Sequence, residues 1–417
     1  MKKEIKERIE VVRRGEVPDG YRIENGYLIP EDWKTVPLNS RFTRSTRKNK
    51  EGCENVLTIS AQMGLVNQRE FYDKDIASED KSGYFLMKNG EFAYNKSYST
   101  GYPYGAIKQL TKYDEGIVSP LYICFAPKAG TNTVFYTQYF EGGRYNREIY
   151  RIAQEGARNH GLLNVAVDDF FKGTLAEPGA DEQRKIAEML ATCDRVIELK
   201  QQLLEEKRRQ KQWLMQKLLD PNSGSRLPGF EGEWCTGSFS DVCTFVNGRA
   251  YKQDELLEEG KYPVLRVGNL FTKSDWYYSD MELPVHMYID NGDLIYAWSA
   301  SFGPQIWAGE KVIFHYHIWK VLLSDVVCKQ YLYQYFLYDV EQLSREQQGG
   351  TMAHITKESM EKRVCRYPTV AEQRRIAEVL DAADREVTLA ENDLELWQQK
   401  KKALMQLLLT GLVRVNT

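Results

Sequence analysis

Two long stretches of the chain carry apolar residues at alternating spacings of three and four positions, the pattern of a coiled-coil helix. In residues 182–219 the repeating positions are Ile186, Leu190, Cys193, Ile197, Leu204, Leu214 and Leu218. In residues 372–409 they are Ile376, Leu380, Ala383, Val387, Ala390, Leu394, Trp397, Leu404 and Leu408. Neither stretch contains proline or glycine. Each therefore predicts one uninterrupted helix, about 57 Å long at about 1.5 Å per residue.

The two stretches are copies of each other. Aligned without gaps at an offset of 190 residues, they are identical at 18 of 38 positions, and they begin with "EQRKIAE" at Glu182 and "EQRRIAE" at Glu372. Self-similarity of this extent indicates duplicated structural units. Two core helices of a single globular domain are the alternative interpretation. Four lysines fall on the seam, so that its middle is less apolar than its ends: Lys200, Lys207, Lys211 and Lys401.

Fainter echoes connect the segments that precede the two helices. In chain order they are Trp33 with Trp234, "GEFAYNKS" from Gly90 with "GDLIYAWS" from Gly292, and Gly156 and His160 with Gly350 and His354. The order is kept while the offset drifts from 201 and 202 to 194 residues. This behaviour predicts two diverged copies of one domain, each followed by a long helix.

Short runs rich in Val, Ile, Tyr and Phe fill both domains, separated by Gly, Pro, Asn and Asp, which is typical of strands and turns. The predicted strand-like runs are "LYICFAP", "TVFYTQYF", "YPVLRVGNL", "GDLIYAW" and "KVIFHYHIWKVLL". A further helix is predicted at "KQYLYQYFLYDVEQLSREQ". The fold class that follows is α+β, with a twisted, mainly antiparallel sheet in each domain.

Composition limits the function classes. At 417 residues and 42% hydrophobic, the chain is long enough for two or three domains. A net charge of −3 argues against binding nucleic acid by bulk charge, so any such contact must come from local basic patches. Seven cysteines without a CxxC pair make a disulfide framework or a zinc ribbon improbable. The charged N-terminus and the absence of an 18-residue apolar run predict a cytoplasmic protein, neither exported nor membrane-spanning.

The sequence lacks the motifs of the enzymes that would fit this size. It has no Pro-Pro pair, which a methyltransferase acting on an exocyclic base amine would need, and no GxxxxGK[ST] phosphate loop. The two histidines of "HYH" at 315–317 have no acidic or cysteine ligand nearby in sequence, so a structural pair on one strand face is favoured over a metal site. Asp254, Glu259 and Lys261 resemble a fragment of a nuclease site, but a run this rich in Glu and Lys produces that pattern by chance.

Several polar and aromatic loops are candidates for contact with DNA. Basic residues mixed with Ser and Thr suit phosphates, and Asn, Gln, Tyr and Trp on tight loops offer groups for base edges. The candidates in the first half are Arg41, Arg44, Arg47, Lys48, Asn95, Lys96, Tyr98, Tyr102, Tyr104, Arg158, Asn159 and His160. Those in the second half are Arg249, Tyr251, Lys252, Arg266, Asn269, Trp298, Ser299, Ser301, Gln305 and His354. Solvated loops with structural tyrosines and histidines are the alternative.

A duplicated domain, a heptad helix opening with "EQR[KR]IAE[MV]L", a second domain and a second such helix closely resemble the specificity subunit of type I restriction-modification systems. The resemblance extends over nearly the whole chain and includes "GEFAYNKSYSTGYPYGAI", "EGARNHGLLN", "YPVLRVGNL", "GDLIYAWSAS" and "GGTMAHI". It implies two target recognition domains separated by an antiparallel coiled coil, in a pseudo-twofold, circularly permuted repeat. The implied boundaries are 1–30 for an N-terminal segment, 31–180 and 221–370 for the recognition domains, and 181–220 and 371–417 for the spacer helices.

The resemblance also implies partners. Each recognition domain would read one half of a bipartite, asymmetric DNA target, and two methyltransferase subunits would dock on the spacer. We expect the docking surface to include four basic residues at the helix starts, namely Arg184, Lys185, Arg374 and Arg375. The chain itself would be non-catalytic and hold no cofactor or metal. S-adenosylmethionine would belong to the methyltransferase subunit, and ATP and Mg²⁺ to a restriction subunit.

The chain's two ends and its spacer length give further expectations. The segment "RRGEVPDGYRIENGYLIPEDW" resembles a linker that would follow "TGLVRV" near the C-terminus, and "KKEIKERIEVVRR" predicts an additional short helix. The resemblance implies that longer spacers recognise longer gaps. Because this spacer has no extra repeated tetrads, the gap between half-sites should be short, about 5 to 8 base pairs. A free-standing bipartite DNA-binding regulator is the competing function, and a complete restriction enzyme or methyltransferase is a third possibility that the missing motifs disfavour.

Overall fold

The computed structural model describes residues 3–50, 52–72, 80–153, 163–272, 275–299, 303–346 and 356–415. The chain divides into two compact units, of which unit 1 comprises Met1–Lys200 and Asp393–Thr417 and unit 2 comprises Gln201–Asn392. The division falls inside both long helices, α7 (Ala180–Leu219) and α12 (Val370–Leu408), so each unit contains one globular domain and a segment of each helix. Among the described residues, no helix has the length and apolar character needed to cross a membrane.

Unit 1 is built on short strands and short helices. Its strands are β1 (Tyr21–Glu24), β2 (Tyr27–Pro30), β3 (Lys34–Pro37), β4 (Phe42–Arg44), β5 (Leu57–Ser60), β6 (Gly64–Asn67), β7 (Phe85–Lys88), β8 (Phe92–Asn95), β9 (Ala106–Gln109), β10 (Glu115–Val118), β11 (Ile123–Pro127) and β12 (Thr174–Glu177). Its shorter helices are α1 (Lys3–Arg13), α2 (Leu38–Arg41), α3 (Gln68–Tyr72), α4 (Thr133–Glu141), α5 (Asn146–Ile152) and α6 (Val167–Lys172).

Unit 2 has the same kinds of element. Its strands are β13 (Cys235–Ser238), β14 (Cys243–Asn247), β15 (Tyr262–Leu265), β16 (Tyr277–Ser279), β17 (Tyr288–Ile289), β18 (Leu294–Ala297), β19 (Gly303–Ile306), β20 (Val312–Phe314), β21 (Ile318–Leu323) and β22 (Val364–Tyr367). Its shorter helices are α8 (Phe239–Val242), α9 (Val267–Phe271), α10 (Lys329–Glu346) and α11 (Lys357–Lys362). Three short 3₁₀ turns cover Pro221–Ser223, Gln253–Glu255 and Val285–Met287.

The sheet topology shows the duplication directly. Unit 1 has a four-stranded antiparallel sheet in the order β4-β11-β8-β9, and unit 2 has one in the order β14-β21-β18-β19. In both units the strand that enters the domain pairs with the strand that leaves it, β3 with β12 and β13 with β22. Among the described strands only β15 and β20 pair in parallel. The predicted fold class, duplicated α+β domains with mainly antiparallel sheets and two long helices, is therefore confirmed.

Aromatic side chains and the long helices form the core of each unit. In unit 1, Trp33, Phe42 and Phe125 share one buried cluster with Ile186 of α7 and Leu408 of α12. In unit 2 the corresponding cluster joins side chains of the sheet to both long helices, and includes Phe245, Trp319, Phe336, Leu218 and Ile376. Burial of these side chains seats each domain on the helices through the hydrophobic effect.

Two of the local predictions were wrong, and "YPVLRVGNL" was only partly right, because strand β15 ends at Leu265 and Val267–Phe271 form helix α9. "TVFYTQYF" forms helix α4 and not a strand, because Asn132 caps its N-terminus by accepting a hydrogen bond from the Phe135 backbone N–H at 3.0 Å and the aromatic side chains pack into the core. The "HYH" sequence does not lie on one strand face, since it forms the turn between β20 and β21. The helix expected from Lys329 and the short N-terminal helix are both present.

The two long helices pack antiparallel within each unit. In unit 1, Lys200 pairs with Asp393 at 2.7 Å and Lys401 with Asp194 at 2.5 Å. In unit 2, the pairs are Lys207 with Glu386 and Arg208 with Glu391, both at 2.6 Å, and Lys211 with Asp384. Residue numbers rise along one helix as they fall along the other, which is the antiparallel register. The seam lysines thus bind acidic residues of the opposite helix.

The repeated "EQ" dipeptide is buried at the start of each long helix. Glu182 accepts hydrogen bonds from the Trp33 indole N–H at 3.0 Å and from the Arg414 guanidinium at 2.7 Å. Glu372 accepts from the Arg226 guanidinium, whose Nε lies at 2.7 Å. Each arginine follows the C-terminus of the other long helix. The chain therefore closes both units in the same way, by an arginine after one helix and a glutamate at the start of the other.

The glutamine of each copy closes the turn into the helix. Gln183 donates to the Pro178 carbonyl at 3.0 Å, and Gln373 donates to the Pro368 carbonyl at 2.9 Å. Arg414 also pairs with Asp32 at 2.6 Å, so the tail after α12 is attached to the segment before β3. This contact supports the expectation that the N-terminal segment continues the fold where the C-terminal helix ends.

Candidate nucleic-acid interface

Equivalent strand ends carry the candidate DNA-contacting residues of both units. Strands β4 and β8 of unit 1 correspond in sheet order to β14 and β18 of unit 2. Asn95 ends β8 and Lys96 follows it, while Ala297 ends β18 and Trp298 follows it. The two domains thus present different chemistry at the same place in the fold. If both places contact DNA, the bases read by the two domains should differ.

Two adjoining depressions bring the unit 1 candidates together. A cleft of about 120 Å³, the Arg44 cleft, is lined by Arg44, Lys96 and Leu121 among others. A larger groove of about 490 Å³, the Asn95 groove, is lined by Asn95 and Tyr98 and shares Leu121 and Tyr122 with the cleft. Tyr98 is 63% exposed. Cationic groups beside an amide and an exposed phenol match the composition of surfaces that contact phosphates and base edges.

The Asn95 groove also contains residues that the sequence did not single out. Phe71 and Tyr72 of α3 are about two-fifths exposed and pack edge-to-face at 4.7 Å. Thr58, Ser60 and Gln62 line the opposite part, from the β5–β6 hairpin. These residues come from elements far from Asn95 in the chain, so no local motif could have identified them. Exposed aromatic rings beside polar groups offer stacking surfaces for unpaired bases.

The basic run of residues 41–50 is divided between packing and exposure. Arg41 binds the buried carboxylate of Glu177, with its Nε at 3.0 Å. Arg47 pairs with Glu91 at 3.1 Å, and the ammonium of Lys48 lies 4.3 Å from the centre of the Phe85 ring. The Arg44 guanidinium is exposed, makes no hydrogen bond or ion pair with the described residues, and lines the cleft that also contains Lys96. Arg44 is therefore well placed to contact a phosphate.

The glycine-rich tyrosine loop is likewise only partly available. The Tyr102 hydroxyl donates to Glu141 at 2.5 Å, and Lys108 binds the same carboxylate at 2.5 Å. Burial, reinforced by the charge of Glu141, raises the pKa of Tyr102 well above its ordinary value. The Tyr104 backbone carbonyl accepts from the Tyr94 hydroxyl at 2.8 Å. Tyr102 and Tyr104 hold the loop in place, which leaves Tyr98 as its most exposed aromatic residue.

The backbone at Gly105 lies very close to the backbone of Asn95. It has a φ of +75°, and a Cβ at this position would lie 2.2 Å from the Asn95 carbonyl oxygen. Gly105→Ala should therefore lower the free energy of unfolding by about 1 to 3 kcal/mol more than Gly101→Ala does. Gly101 is the matched control, because it has a φ of +84° but open space around its Cβ. Equal unfolding midpoints in urea for the two variants would show that the close contact is unimportant.

In unit 2, aromatic and basic candidates surround the turn at 315–317. The Tyr251 ring stacks on His315 at 6.5 Å, and Trp298 packs against His317 at 5.1 Å and donates its indole N–H to the Tyr316 carbonyl at 2.8 Å. Tyr316 is 39% exposed at the tip. Arg249 lies 5.4 Å from the centre of the Tyr251 ring and pairs with Glu255 at 2.7 Å. The described residues contain no group of three metal-ligating side chains.

The other unit 2 candidates have mixed surroundings. Arg266 lies over the Tyr277 ring at 4.3 Å and donates to the Asp275 carbonyl at 2.6 Å. The Asn269 side chain accepts from the Arg266 backbone N–H at 3.0 Å, so this pair forms one local structure. Lys252 is exposed, Ser299 is half-buried, and Gln305 is half-buried on β19. Lys252 and Tyr316 are thus the most accessible polar groups of this surface.

His315 should make the stability of unit 2 depend on pH. Burial, followed by the charges of His317 and Arg266, lowers the pKa of His315 to about 4 from its usual 6.5. The folded state therefore favours neutral His315, and its contribution is complete above pH 6.5 and is lost as pH falls through 6.5 towards 4. The loss should reach about 2 kcal/mol, after allowance for partial exposure. Urea unfolding of wild type and His315→Gln at pH 7.5 and 4.5 measures the difference.

The exposed His286 provides the control for that experiment. His286→Gln should retain the wild-type difference in unfolding free energy between the two pH values, whereas His315→Gln should lose the part due to His315. If His315→Gln keeps the full wild-type difference, the imidazole does not cause it. Carboxylates also titrate as the pH falls towards 4.5, so the wild-type unfolding free energies alone do not isolate His315. The contribution of His315 is the difference between wild type and His315→Gln.

Five predicted site residues lie outside the described residues: Arg158, Asn159, His160, Ser301 and His354. Their roles remain predictions.

Comparison with known proteins finds a matching family model and several relatives. Residues 231–396 match the model of the type I restriction modification DNA specificity domain. The chain is 23% identical over 198 residues to the type I restriction enzyme EcoBI specificity subunit of Escherichia coli, an alignment covering 47% of this chain and 42% of that protein. It is 22% identical over 414 residues to the putative type I restriction enzyme MjaX specificity subunit of Methanocaldococcus jannaschii, covering 93% and 95%. Residues 231–396 therefore resemble the DNA specificity domain of type I restriction-modification systems, and the chain is similar over most of its length to specificity subunits of those systems.

A solved structure supports the same fold. A chain from a structure titled for complex assembly and conformational transition of the type I R-M system superposes with a TM-score of 0.61. The two chains are 15% identical, and the superposition covers 93% of this chain and 100% of the other. The two chains therefore share one fold at low sequence identity.

The repeated "EQR.IAE" motif at the start of each long helix has buried and exposed positions. In the first copy Glu182, Gln183, Ile186, Ala187 and Leu190 are buried, and the corresponding residues of the second copy are buried too. Arg184, Arg374 and Arg375 are exposed, and Lys185 is half-exposed. Arg184 pairs with Asp181 of its own helix at 2.8 Å, and Arg375 pairs with Glu378. Three of these four basic residues are thus exposed at the helix starts, and their role in docking stays a prediction.

Proposed function

We propose that the chain is the DNA sequence-specificity subunit of a type I restriction-modification complex, in which each recognition domain reads one half of a bipartite, asymmetric target. The match of residues 231–396 to the DNA specificity domain is the observation that carries this proposal. Because the first curated relative aligns over only 42% of its length, its activity and partners are not transferred by similarity alone. The equivalent strand ends of the two units, with their different side chains, supply the independent support.

The proposed mechanism depends on geometry and not on catalysis by this chain. Two readers held by one spacer engage DNA together only when their half-sites are a fixed number of base pairs apart. The antiparallel helices would set that gap and carry two methyltransferase subunits. S-adenosylmethionine would bind the methyltransferase subunit, and ATP and Mg²⁺ would bind the restriction subunit. This chain would contribute base contacts, phosphate contacts and the spacing.

Genome-wide mapping of methylated adenine tests the proposal. The chain would be co-expressed with the methyltransferase gene of its own system, in a host that lacks adenine methylation. An asymmetric motif of two half-sites separated by about 5 to 8 base pairs is expected. Methylation at one half-site alone would contradict the proposal. Tight sequence-specific binding by the purified chain, with no methylation in the presence of the partner, would favour a free-standing DNA-binding regulator.

Charge reversal tests the partner surface separately. Arg374→Glu with Arg375→Glu should prevent co-purification of the methyltransferase subunit, because two exposed cations at the start of α12 become anions. Arg209→Glu is the control, since Arg209 is 67% exposed on α7 and lies outside both "EQR" motifs. Unchanged recovery of the partner with the double variant would exclude this surface from docking.

A further inference from the structure

The same three-residue network joins the recognition domain to the long helices in both units. In unit 1, Gln138 of α4 donates its amide to the Asp194 carboxylate of α7 at 2.6 Å, and Asp194 also pairs with Lys401 of α12 at 2.5 Å. Asp194 thus connects the domain to both helices at once. We call this arrangement the Gln–Asp–Lys clamp.

Unit 2 repeats the clamp with the helices exchanged. Gln334 of α10 donates to Asp384 of α12 at 2.7 Å and to Asp381 at 3.0 Å, and Asp384 pairs with Lys211 of α7. Asp194 and Asp384, like Lys211 and Lys401, are 190 residues apart, which is the offset of the helix repeat. The glutamines lie in a shared "QYF" tripeptide, at 138–140 and 334–336. The network is therefore a feature of the duplicated unit and not a chance contact.

The glutamine of each clamp is buried, and its unpaired amide oxygen should destabilise the folded state. Gln138 is 5% exposed and Gln334 is fully buried, and in each the amide oxygen has no hydrogen-bond partner among the described residues. A buried acceptor without a partner destabilises the folded state, and an apolar side chain of similar size would avoid that cost. Stability alone therefore does not explain a glutamine at both positions.

The clamp adds directional hydrogen bonds to the apolar contacts of the core. The apolar contacts that seat each domain on the helices are non-directional and tolerate small rotations and shifts. A hydrogen bond to a carboxylate is short and directional, and here that carboxylate is itself held by a lysine of the opposite helix. The clamp thus fixes the angle and the register of each domain on its own helix segments.

We propose that Gln138 and Gln334 are positioning residues that hold each recognition domain at a fixed angle to the helices and so determine how strictly the gap between half-sites is measured. The inference rests on the proposed function. Loss of a clamp should broaden the accepted gap without changing the bases that either half-site requires. A purely structural role would instead lower stability and reduce methylation equally at every gap.

The test is methylation mapping with Gln334→Leu and, separately, Gln138→Leu, each co-expressed with the methyltransferase. The fraction of methylated sites whose gap is one base pair longer or shorter should rise by about two- to tenfold, the factor that one hydrogen bond contributes. The half-site bases should stay the same. An unchanged gap distribution in folded variants would overturn the proposal, and so would equal loss at all gaps. If the wild type gives no bipartite methylation, the proposed function fails instead.

Lysine variants keep the test decisive if a glutamine variant does not fold. Lys211→Met removes the cation from the unit 2 clamp at a seam position whose side chain is 21% exposed, and it should likewise broaden the range of accepted gaps. Lys211→Arg should restore the wild-type gap. Lys207→Met is the matched control, because Lys207 lies one turn away and pairs with Glu386 at 2.6 Å outside the clamp. The same broadening by Lys207→Met would assign the effect to the helix pair and refute the clamp.

Discussion

Replacing Arg226 by methionine is expected to lower the free energy of unfolding of unit 2 by about 3 kcal/mol, because it leaves a buried carboxylate without its cation. Glu372 is 1% exposed, and both of its oxygens accept from the Arg226 guanidinium. The start of α12 offers Glu372 partial compensation through the helix dipole, which keeps the loss at the lower end of the usual range. Urea unfolding followed by circular dichroism gives the free energy, and hydrogen exchange of residues 370–376 shows where it is lost.

Two further variants identify the cause. Arg375→Met removes a cation from an exposed pair on the same helix, with side chains 63% and 60% exposed, and should change stability by less than about 1 kcal/mol. Arg226→Met combined with Glu372→Leu removes both charges of the pair and should recover much of the loss, since apolar replacement of a largely buried pair is often nearly neutral. If the double variant is as unstable as Arg226→Met alone, the uncompensated carboxylate is not the reason.

Replacing Arg44 and Lys96 together by alanine is expected to weaken binding of the partner-bound protein to its own target by about tenfold to a hundredfold. Both cations line the Arg44 cleft, and Arg44 has no partner among the described residues that would compete with a phosphate. Each lost phosphate contact should also reduce the slope of log affinity against log salt concentration, by about two for the pair. Titration of labelled duplex DNA between 50 and 200 mM salt, as an order-of-magnitude range, measures both quantities.

Lys172→Ala is the control for that titration. Lys172 is 71% exposed in the same domain and pairs only weakly with Asp169 at 3.4 Å. It should leave the affinity and the salt slope at the wild-type values. A double variant that binds as tightly as wild type, with an unchanged slope, would remove the Arg44 cleft from the DNA-contacting surface. A weaker affinity with an unchanged slope would indicate a base contact or a local folding defect.

The long helices could be predicted from the sequence because their apolar spacing is regular and uninterrupted. The predicted spacers are 181–220 and 371–417, and the helices observed there are Ala180–Leu219 and Val370–Leu408. Each predicted start differs from the observed one by one residue. The repeated "EQR" sequence at the start of each copy marked where each helix begins, but the sequence did not show why these residues are repeated. Only the fold shows that Glu182 and Glu372 bind arginines that are distant in the chain.

Helix α4 could not be assigned from local composition. "TVFYTQYF" has the β-branched and aromatic residues of a strand, yet tertiary packing of Phe135, Tyr136, Tyr139 and Phe140 around a helix decided the outcome. Comparison with "YLYQYF" in the other half would have corrected the assignment, since both contain "QYF" and the second lies in a longer helical pattern.

The candidate site was only partly predictable for a related reason. Lys96, Asn95 and Tyr98 were found because they follow one strand in a polar, glycine-rich loop. Phe71 and Tyr72 reach the same groove from helix α3, and Thr58 reaches it from the β5–β6 hairpin, so no sequence spacing relates them to Asn95. Arg41 lies in a basic run that is typical of phosphate contacts, but its guanidinium binds Glu177 of β12, which is 136 residues later in the chain.

The way each unit is assembled also sets the order in which the two units are completed during synthesis. Unit 2 is one continuous segment, Gln201–Asn392, so all of its residues are translated before Asp393–Thr417. Unit 1 begins first but needs Asp393–Thr417, which supplies Leu408 to its core and Arg414 to its buried glutamate. The domain that is translated first is therefore the last to be completed, and until then Glu182 and the apolar face of α7 in unit 1 lack the segment that covers them.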